Sequence, residues 1–365
     1  MPFLPERKSL LIRPVLIIIL AAAFIFGFAD IFIPLNFERL HIFLFNMTAG
    51  GFVILHYTDG GREPAPRHFA YLLLSVLYAV LAFMHWYVPA AAVSVPLWAI
   101  VERARVRRFS FFPWSFFSGR ISVSRKFHEA SLLCLSLAFV FSTAVLLNNE
   151  YFHWFHYEKL TLDVFFLGFS FPVSLITMSV MFHFIDEQKT VFFAFIANAL
   201  FWTINLGVII FFVFIIYQVF AGEVAVASVL FLAVMTLFVF FLRHGRALQQ
   251  KHFLVSGMTF LLFTAVTGLL YVPVKSMYGG SPLASGLLLK AHSYISLYGW
   301  NLSGLFVILR WNDFPMRLNS RALILFHWAV ILMAPLGKFF HHAVPFLSGA
   351  YMVLLYLFFF ARHER

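Results

Sequence analysis

Long apolar segments dominate this 365-residue chain and leave little choice of fold. They recur from about residue 10 to the C-terminus, and short stretches rich in charge, proline or glycine separate them. Such segments are about 20 residues long, which is the length that an α-helix needs to cross a bilayer. Charged residues make up only 11% of the chain, against about 25% in a soluble domain. The sequence therefore predicts an all-α, polytopic membrane protein.

The divisions between these segments predict 12 transmembrane helices. The predicted spans are 10–34, 39–57, 69–87, 89–101, 128–147, 158–184, 190–217, 224–242, 252–273, 286–310, 321–338 and 342–361. The fourth is short, and Pro89 and Pro96 interrupt it. The first is long enough to span and lacks a small-residue cleavage pattern, so we expect a retained helix rather than a signal peptide.

The distribution of positive charge predicts the orientation of these spans. All but five of the 26 lysines and arginines fall on one side of the twelve-span map. The exceptions are Arg39, Lys159, Lys275, Lys290 and Lys338. Because cytoplasmic loops carry an excess of lysine and arginine, this asymmetry predicts that both termini are cytoplasmic. Topology thus explains the net charge of +11 without a nucleic-acid partner, and the cationic loop between Val101 and Phe127 is predicted to contact anionic membrane lipid or a cytoplasmic partner.

An internal repeat indicates how the spans are arranged. The segment that begins at Lys159 aligns without a gap with the segment that begins at Lys290, so that Gly168-Phe169 matches Gly299-Trp300. A looser copy begins at Arg39. The three copies open spans two, six and ten, which predicts three pseudo-symmetric four-helix arcs within one transmembrane domain. Chance recurrence of basic residues and glycines is the alternative. The arcs cover about 1–105, 125–245 and 248–365.

Two histidines occupy equivalent places in this repeat. His41 follows Arg39 by two residues at the start of span two, and His292 follows Lys290 by two residues at the start of span ten. A histidine inside a bilayer is costly without a partner or a ligand, so the pair predicts a metal or haem site, or else a hydrogen bond across helices. The single cysteine, Cys134, excludes intramolecular disulfides, iron–sulfur clusters and a CxxCH haem attachment.

Spans two and ten resemble the haem-binding helices of the haem-copper oxidase catalytic subunit, and are closest to its cbb3 branch. The segment RLHIFLFNMTAGG places Gly50-Gly51 nine and ten residues after His41. The segment AHSYISLYGW is similar to the family pattern His-x-His-x-x-x-x-Gly-Trp, with His292 first and Tyr294 in place of the second histidine. The resemblance implies a haem b protein of the bacterial cytoplasmic (inner) membrane, with a redox partner protein or a quinone.

The copper centre of that family has no counterpart in this sequence. The oxidases carry a copper-ligating histidine in span six and a His-His pair in span seven. Here span six offers Thr161 and Asp163 at its outer end and His183 only at its inner end, and span seven contains no histidine. Without three imidazoles copper has no site beside the haem, so we do not expect a terminal oxidase. The NnrS family shares the helical plan, but its histidine–glutamate signature is absent.

Two arrangements of the haem follow from the resemblance. If the ligand positions of the family are transferred literally to this sequence, His292 would hold a five-coordinate haem and His41 would lack its opposite ligand. Their matched depth instead favours a single haem b held between His41 and His292, with Arg39 and Lys290 pairing with its propionates. Tyr294 and Trp300, with neighbouring aromatic residues, would then cover the porphyrin. Six-coordinate iron suits electron transfer, and an open position suits nitric oxide or another gas, which would make any enzyme a haem-dependent oxidoreductase.

The remaining histidines allow other interpretations. Five lie near the outer surface, where they could bind copper or zinc or be ordinary interfacial residues: His85, His153, His156, His341 and His342. His327 is predicted to make a helix–helix hydrogen bond or to be a second ligand. Most histidines at the inner boundaries, which include His56, His68 and His128, are predicted to lie on the surface. The alternatives to a haem protein are a transporter or metal-handling protein that uses the outer histidines, and a scaffold subunit without a cofactor.

Overall fold

The computed structural model describes residues 9–35, 37–61, 64–157, 160–185, 190–277 and 282–361. Helix makes up 84% of the structure, and no β-strand occurs among the described residues. The prediction of an all-α chain is therefore confirmed.

The described residues form twelve helical rods, which we number α1 to α12 in chain order. Seven are simple helices: α1 (Ser9–Ala29), α3 (Pro66–Phe83), α4 (Tyr87–Arg108), α6 (Leu160–His183), α7 (Val191–Tyr217), α8 (Phe220–His244) and α9 (Gln249–Met277). Two contain an internal π-helical segment: α2 joins Phe37–Ile42, the π-helical Phe43–Gly50 and Gly51–Thr58, and α10 joins Pro282–Tyr294, the π-helical Ile295–Asn301 and Leu302–Leu309. The other three have irregular ends: α5 is Val123–Leu147 followed by the π-helical Asn148–Phe152, α11 is Ser320–Met333 followed by the 3₁₀-helical Ala334–Lys338, and α12 is the 3₁₀-helical His341–Ala343 followed by Val344–Phe360.

Nine helices in the described part of the chain are long and apolar enough to cross a membrane. The chain is thus a multi-pass membrane protein, and the count of twelve crossings stays a prediction. Rod α4 falls outside the nine because its last two turns carry Glu102 and four arginines. In α6 the stretch Gly168–His183 is a shorter apolar helix.

The rods run alternately up and down. Contacts join the ends of even-numbered rods to the starts of odd-numbered ones at one end of the bundle. These contacts connect Asp59 with His68, Thr58 with His128, Phe193 with His244, Gln249 with Met316 and Arg13 with Asp313. We call this end the basic face, because the loops there hold most of the lysines and arginines, and the other end the opposite face.

Three rods, α2, α6 and α10, contact one another in the middle of the bundle, while α1 packs against α12. Rod α2 is the most buried of the nine candidate spans, with 89% of its residues inside. Close backbone approach explains the glycines in this centre. A Cβ atom on Gly50 would lie 2.4 Å from Val173 Cγ2, and one on Gly304 would lie 1.9 Å from Thr177 Oγ1.

A group of three charged residues at the basic face connects the first and last rods to α10. Asp313 lies 2.5 Å from the guanidinium of Arg310 and 2.5 Å from that of Arg13. Arg310 also donates to the carbonyl of Phe358, 3.0 Å away, and Arg13 donates to the carbonyl of Phe359, 3.2 Å away. These bonds connect α1, α10 and α12.

Candidate functional site

His41 lies in a cluster of aromatic side chains near the opposite face. Its side chain is 2% exposed, and its Nδ1 lies 3.1 Å from the hydroxyl of Tyr298 on α10. The rings of Tyr294 and Tyr298 are both 6.3 Å from the imidazole, centroid to centroid. Phe24 of α1 and Tyr351 of α12 complete this wall through ring contacts with Tyr298. Four rods thus converge on one imidazole.

A glycine on α1 makes this approach possible. A Cβ atom on Gly27 would lie 2.7 Å from the Tyr294 hydroxyl and 3.1 Å from His41 Nδ1, so any larger residue would displace one of them. Lys290 and Lys338 are close enough to interact electrostatically with His41, and Lys338 also pairs with Asp30. The aromatic cluster around His41 therefore has two lysines within electrostatic range.

His292 faces a different part of the bundle. Its Nδ1 lies 3.0 Å from the backbone carbonyl of Thr264 on α9, to which it donates, and 3.4 Å from the hydroxyl of Thr267. A Cβ atom on Gly268 would lie 3.1 Å from His292 Cε1, so the imidazole rests against α9. Because Nδ1 carries the proton, Nε2 keeps its lone pair for a ligand.

The structure does not bring His41 and His292 together. Tyr294 points toward His41, whereas His292, two residues earlier, points toward α9. Two residues correspond to about 200° around an α-helix, so the two side chains leave α10 on nearly opposite faces. The two imidazoles therefore do not face one another as a clamp requires.

The two histidines nevertheless share a local design. Each rests against a glycine of the preceding rod, Gly27 for His41 and Gly268 for His292, and each has its Nδ1 within reach of a partner. Each is also followed within three residues by a π-helical segment. Such segments are rare and frequently mark functional sites. The repeat found in the sequence therefore has a counterpart in side-chain environment.

The other predicted haem contacts lie in three different regions of the structure. Tyr294 lies beside His41, as expected. Trp300 instead donates its Nε1 proton to Ser174 of α6, 2.9 Å away, and belongs to the centre of the bundle. Arg39 is half-buried at the start of α2 and interacts electrostatically with Tyr78 of α3.

The five outer histidines do not form a common site. All are exposed, and Tyr87 bonds to His85 while Phe32 packs against His341. Within the described ranges, no three side chains of histidine, cysteine, aspartate or glutamate come close enough to hold a metal ion. In the third copy of the repeat, Lys159 and the side chains of Thr161 and Asp163 lie outside what the structure describes.

His327 makes a helix–helix hydrogen bond, which is the first of its two predicted roles. Its Nε2 donates to the backbone carbonyl of Tyr298, 2.6 Å away, inside the π-helical segment of α10. Because a π-helix disturbs the regular bonding of backbone carbonyls, a donor from α11 stabilises it. The bond also connects α11 to the residue that contacts His41.

The prediction of surface positions is wrong for two histidines at the basic face. His68 and His128 are buried, because Asp59 lies 2.7 Å from His68 Nε2 and Thr58 lies 2.9 Å from His128 Nε2. Burial raises the pKa of Asp59, but the contacts with His68 and Arg67 outweigh burial and hold that pKa below its ordinary value. Sequence position beside a charged loop did not reveal these partners.

Sequence reasoning also missed a polar network at the centre of the bundle. Asn46 of α2 donates to Ser170 of α6 at 2.6 Å and accepts from Asn301 of α10 at 3.0 Å, and Ser174 donates to Asn301 at 3.1 Å. Both asparagines are fully buried. An asparagine in the middle of an apolar run was the available signal, because such a residue needs a partner inside a membrane.

We expect Asn301→Leu to destabilise the protein by about 1–3 kcal/mol, because it leaves buried groups of Asn46 and Ser174 without their partner. The measurement is the free energy of unfolding in mixed micelles with a denaturing detergent. Asn205→Leu is the matched control, since among the described residues Asn205 bonds only to the carbonyl of Phe201 in its own helix. Equal effects of the two substitutions would contradict a structural role for the network.

Comparisons with protein-family models, with curated proteins and with solved structures find no match for this chain. The resemblance to the haem-copper oxidases therefore rests on the residues of α2 and α10 that carry the two motifs.

Proposed function

We propose that this chain is an integral membrane haem b protein built on a haem-copper-oxidase-like plan, with a role in electron transfer or in nitric oxide and redox-stress handling. The observation that carries the proposal is the shared environment of His41 and His292. Each is an intramembrane histidine with its Nδ1 beside a partner, a glycine against its ring and a π-helical segment after it. An intramembrane ionisable residue is a functional candidate by default.

The residues fit haem ligation by single imidazoles. Haem-ligating histidines bind iron through one ring nitrogen while the other donates a hydrogen bond, and both residues can do so through Nε2. The aromatic cluster around His41 also contains an unsatisfied polar atom, since the buried hydroxyl of Tyr351 has no hydrogen-bond partner among the described residues. Because Tyr294 faces His41 while His292 leaves α10 on the other side, toward α9, we propose separate sites rather than one shared iron.

The surrounding residues would bind and position the group. Lys290 and Lys338 interact electrostatically with His41 and can pair with propionates at low desolvation cost. Phe24, Phe28 and Tyr294 would exclude water from the porphyrin edge. Bound haem b supplies a one-electron iron couple, and an open axial position would bind a diatomic gas.

The membrane arrangement supports this plan. Three four-helix arcs of this kind require α2, α6 and α10 to meet at the centre. These three rods pack against one another in the structure. Ser170 and Asn301 are equivalent in the repeat, and both belong to the central network. We propose that the basic face is cytoplasmic, by the positive-inside rule, in a bacterial inner membrane, and that a redox protein or a quinone exchanges electrons with the site.

An absorbance spectrum of the purified protein tests the proposal. We expect a Soret band and a reduced-minus-oxidised α band. If the sites are separate, His41→Ala and His292→Ala each remove part of the signal and the double variant removes all of it. The control is His252→Ala, because His252 is exposed at the basic face.

The outcomes distinguish separate haem sites from one shared iron, and a haem protein from one without haem. Loss of the whole signal in either single variant would mean that the histidines share one iron, which contradicts separate sites. A protein without a Soret band after expression with added haem precursor would overturn the haem proposal and favour a transporter or a scaffold subunit.

A further inference from the structure

Four large aromatic side chains are exposed on a single loop of the basic face. They belong to residues 109–122, between α4 and α5, and they are Phe111 (78% exposed), Phe112 (48%), Trp114 (68%) and Phe117 (66%). Such a patch is unfavourable in water and marks an interaction surface.

Buried charges hold this loop in a fixed shape. The guanidinium of Arg105, itself buried, donates to the carbonyls of Ser110 and Phe111 at 3.0 and 2.8 Å. The ammonium of Lys126, also buried, donates to the carbonyl of Phe116 at 3.0 Å, and Ser115 bonds to the carboxylate of Glu129. The aromatic side chains are therefore presented by a supported backbone.

The loop packs against the side of α7 that carries Phe201 and Trp202, of which Phe201 is only 1% exposed. The ring of Phe116 is 5.1 Å from that of Phe201, and the ring of Phe117 is 5.4 Å from that of Trp202. These positions are ten and eleven residues into α7, or about 15 Å from its start at 1.5 Å per residue. Rod α7 is apolar from Val191 onward, and its first turns are strongly exposed. The loop thus sits at the depth where α7 is already in the bilayer.

Exposed arginines surround the aromatic patch. They are Arg103, Arg107, Arg108, Arg120 and Arg125. The one acidic residue between 101 and 127 is Glu102, and it is already engaged by Arg105 at 2.5 Å and by Ser136 at 2.9 Å. The segment therefore has an excess of positive charge and suits an anionic ligand.

We propose that the aromatic part of this loop, residues 111–117, forms an interfacial anchor that binds anionic phospholipid of the basic-face leaflet. Phe111, Phe112, Trp114 and Phe117 lie at the boundary between headgroups and acyl chains, and the flanking arginines bind the phosphate groups. Aromatic residues favour this boundary, and basic residues next to it attract anionic lipid. This assignment does not depend on the haem proposal.

The depth of the loop is measured with a spin label. In a Cys134→Ala background, Trp114→Cys carries a nitroxide, and Gly119→Cys is the matched control, because open space surrounds that position. In phosphatidylcholine vesicles that contain phosphatidylglycerol, we expect the label at 114 to be more accessible to oxygen than to a water-soluble nickel chelate. The label at 119 should show the reverse. Preferential access of the chelate at 114 would overturn the anchor and favour a soluble protein partner.

Lipid preference is measured with brominated lipids. The fluorescence of Trp114, taken as the difference from Trp114→Phe, should be quenched more by brominated phosphatidylglycerol than by brominated phosphatidylcholine. In Arg107→Gln/Arg120→Gln this preference should fall by about fivefold for each arginine removed. Arg317→Gln/Arg321→Gln, which removes two exposed cations elsewhere on this face, should leave it unchanged. Equal quenching by both lipids in the unmodified protein, or equal losses in both double variants, would overturn the proposal.

Discussion

Asp313→Ala is expected to destabilise the protein by about 3–5 kcal/mol, because it leaves the buried guanidinium of Arg310 without its carboxylate. Arg310 is only 1% exposed, so its charge has little access to water once the carboxylate is removed. The same carboxylate also holds Arg13, so its loss loosens α1 and α10 together. Chemical unfolding in detergent micelles, followed by circular dichroism, measures the change.

The control for this prediction is a second ion pair that also bridges distant parts of the chain. Lys338 and Asp30 pair at the opposite face, where the Asp30 side chain is 35% exposed. Asp30→Ala should cost about 1 kcal/mol, less than Asp313→Ala, because the Lys338 side chain keeps 10% of its surface in solvent whereas Arg310 keeps 1%. If the two substitutions have the same effect, burial of Arg310 is not what makes the Asp313 contact important.

Gly304→Ala is expected to destabilise the protein by about 1–3 kcal/mol through overpacking between α10 and α6. The new methyl group would lie 1.9 Å from Thr177 Oγ1 and 2.7 Å from Thr177 Cγ2, so the two rods or the threonine must move. Moving the threonine would also disturb its bond to the carbonyl of Val173, which is 2.8 Å long. The midpoint of thermal unfolding should fall accordingly.

A double variant and a second glycine identify the cause. Thr177→Ala removes the obstructing atoms, so Gly304→Ala/Thr177→Ala should recover much of the stability lost by Gly304→Ala alone. Gly349→Ala in α12 should be neutral or slightly stabilising, because no atom lies within 4 Å of the added Cβ and alanine favours helix. A double variant that is no more stable than Gly304→Ala would contradict a steric origin.

The rods were predictable from sequence because each is a long apolar run with polar ends. The predicted span 39–57 corresponds to 37–58 in the structure, and 321–338 corresponds to Ser320–Lys338. The fourth span has the largest error at a single boundary, since 89–101 became Tyr87–Arg108. Its charged end is helical because Glu102 and Arg105 pair with each other and support the following loop. Such tertiary support has no apolar signature.

The candidate site was only half predictable. Spacing from the start of a span predicts the depth of a side chain, which is why His41 and His292 are expected near one face. Spacing does not give direction around the helix, which depends on packing and on the extra rotation that a π-helical segment adds. The partners of His41, Tyr298 and Gly27, are far away in sequence, and only the fold brings them together.

The central network has a consequence for the order of assembly. Asn46 enters the membrane with α2, but its partners Ser170 and Asn301 are synthesised 124 and 255 residues later. At usual translation rates the second partner follows after about 10–50 s. During that interval α2 must keep its polar side chains away from lipid by some other contact, such as a chaperone or the insertion machinery. The most buried helix of the finished protein is thus among the first to be made and the last to be fully enclosed.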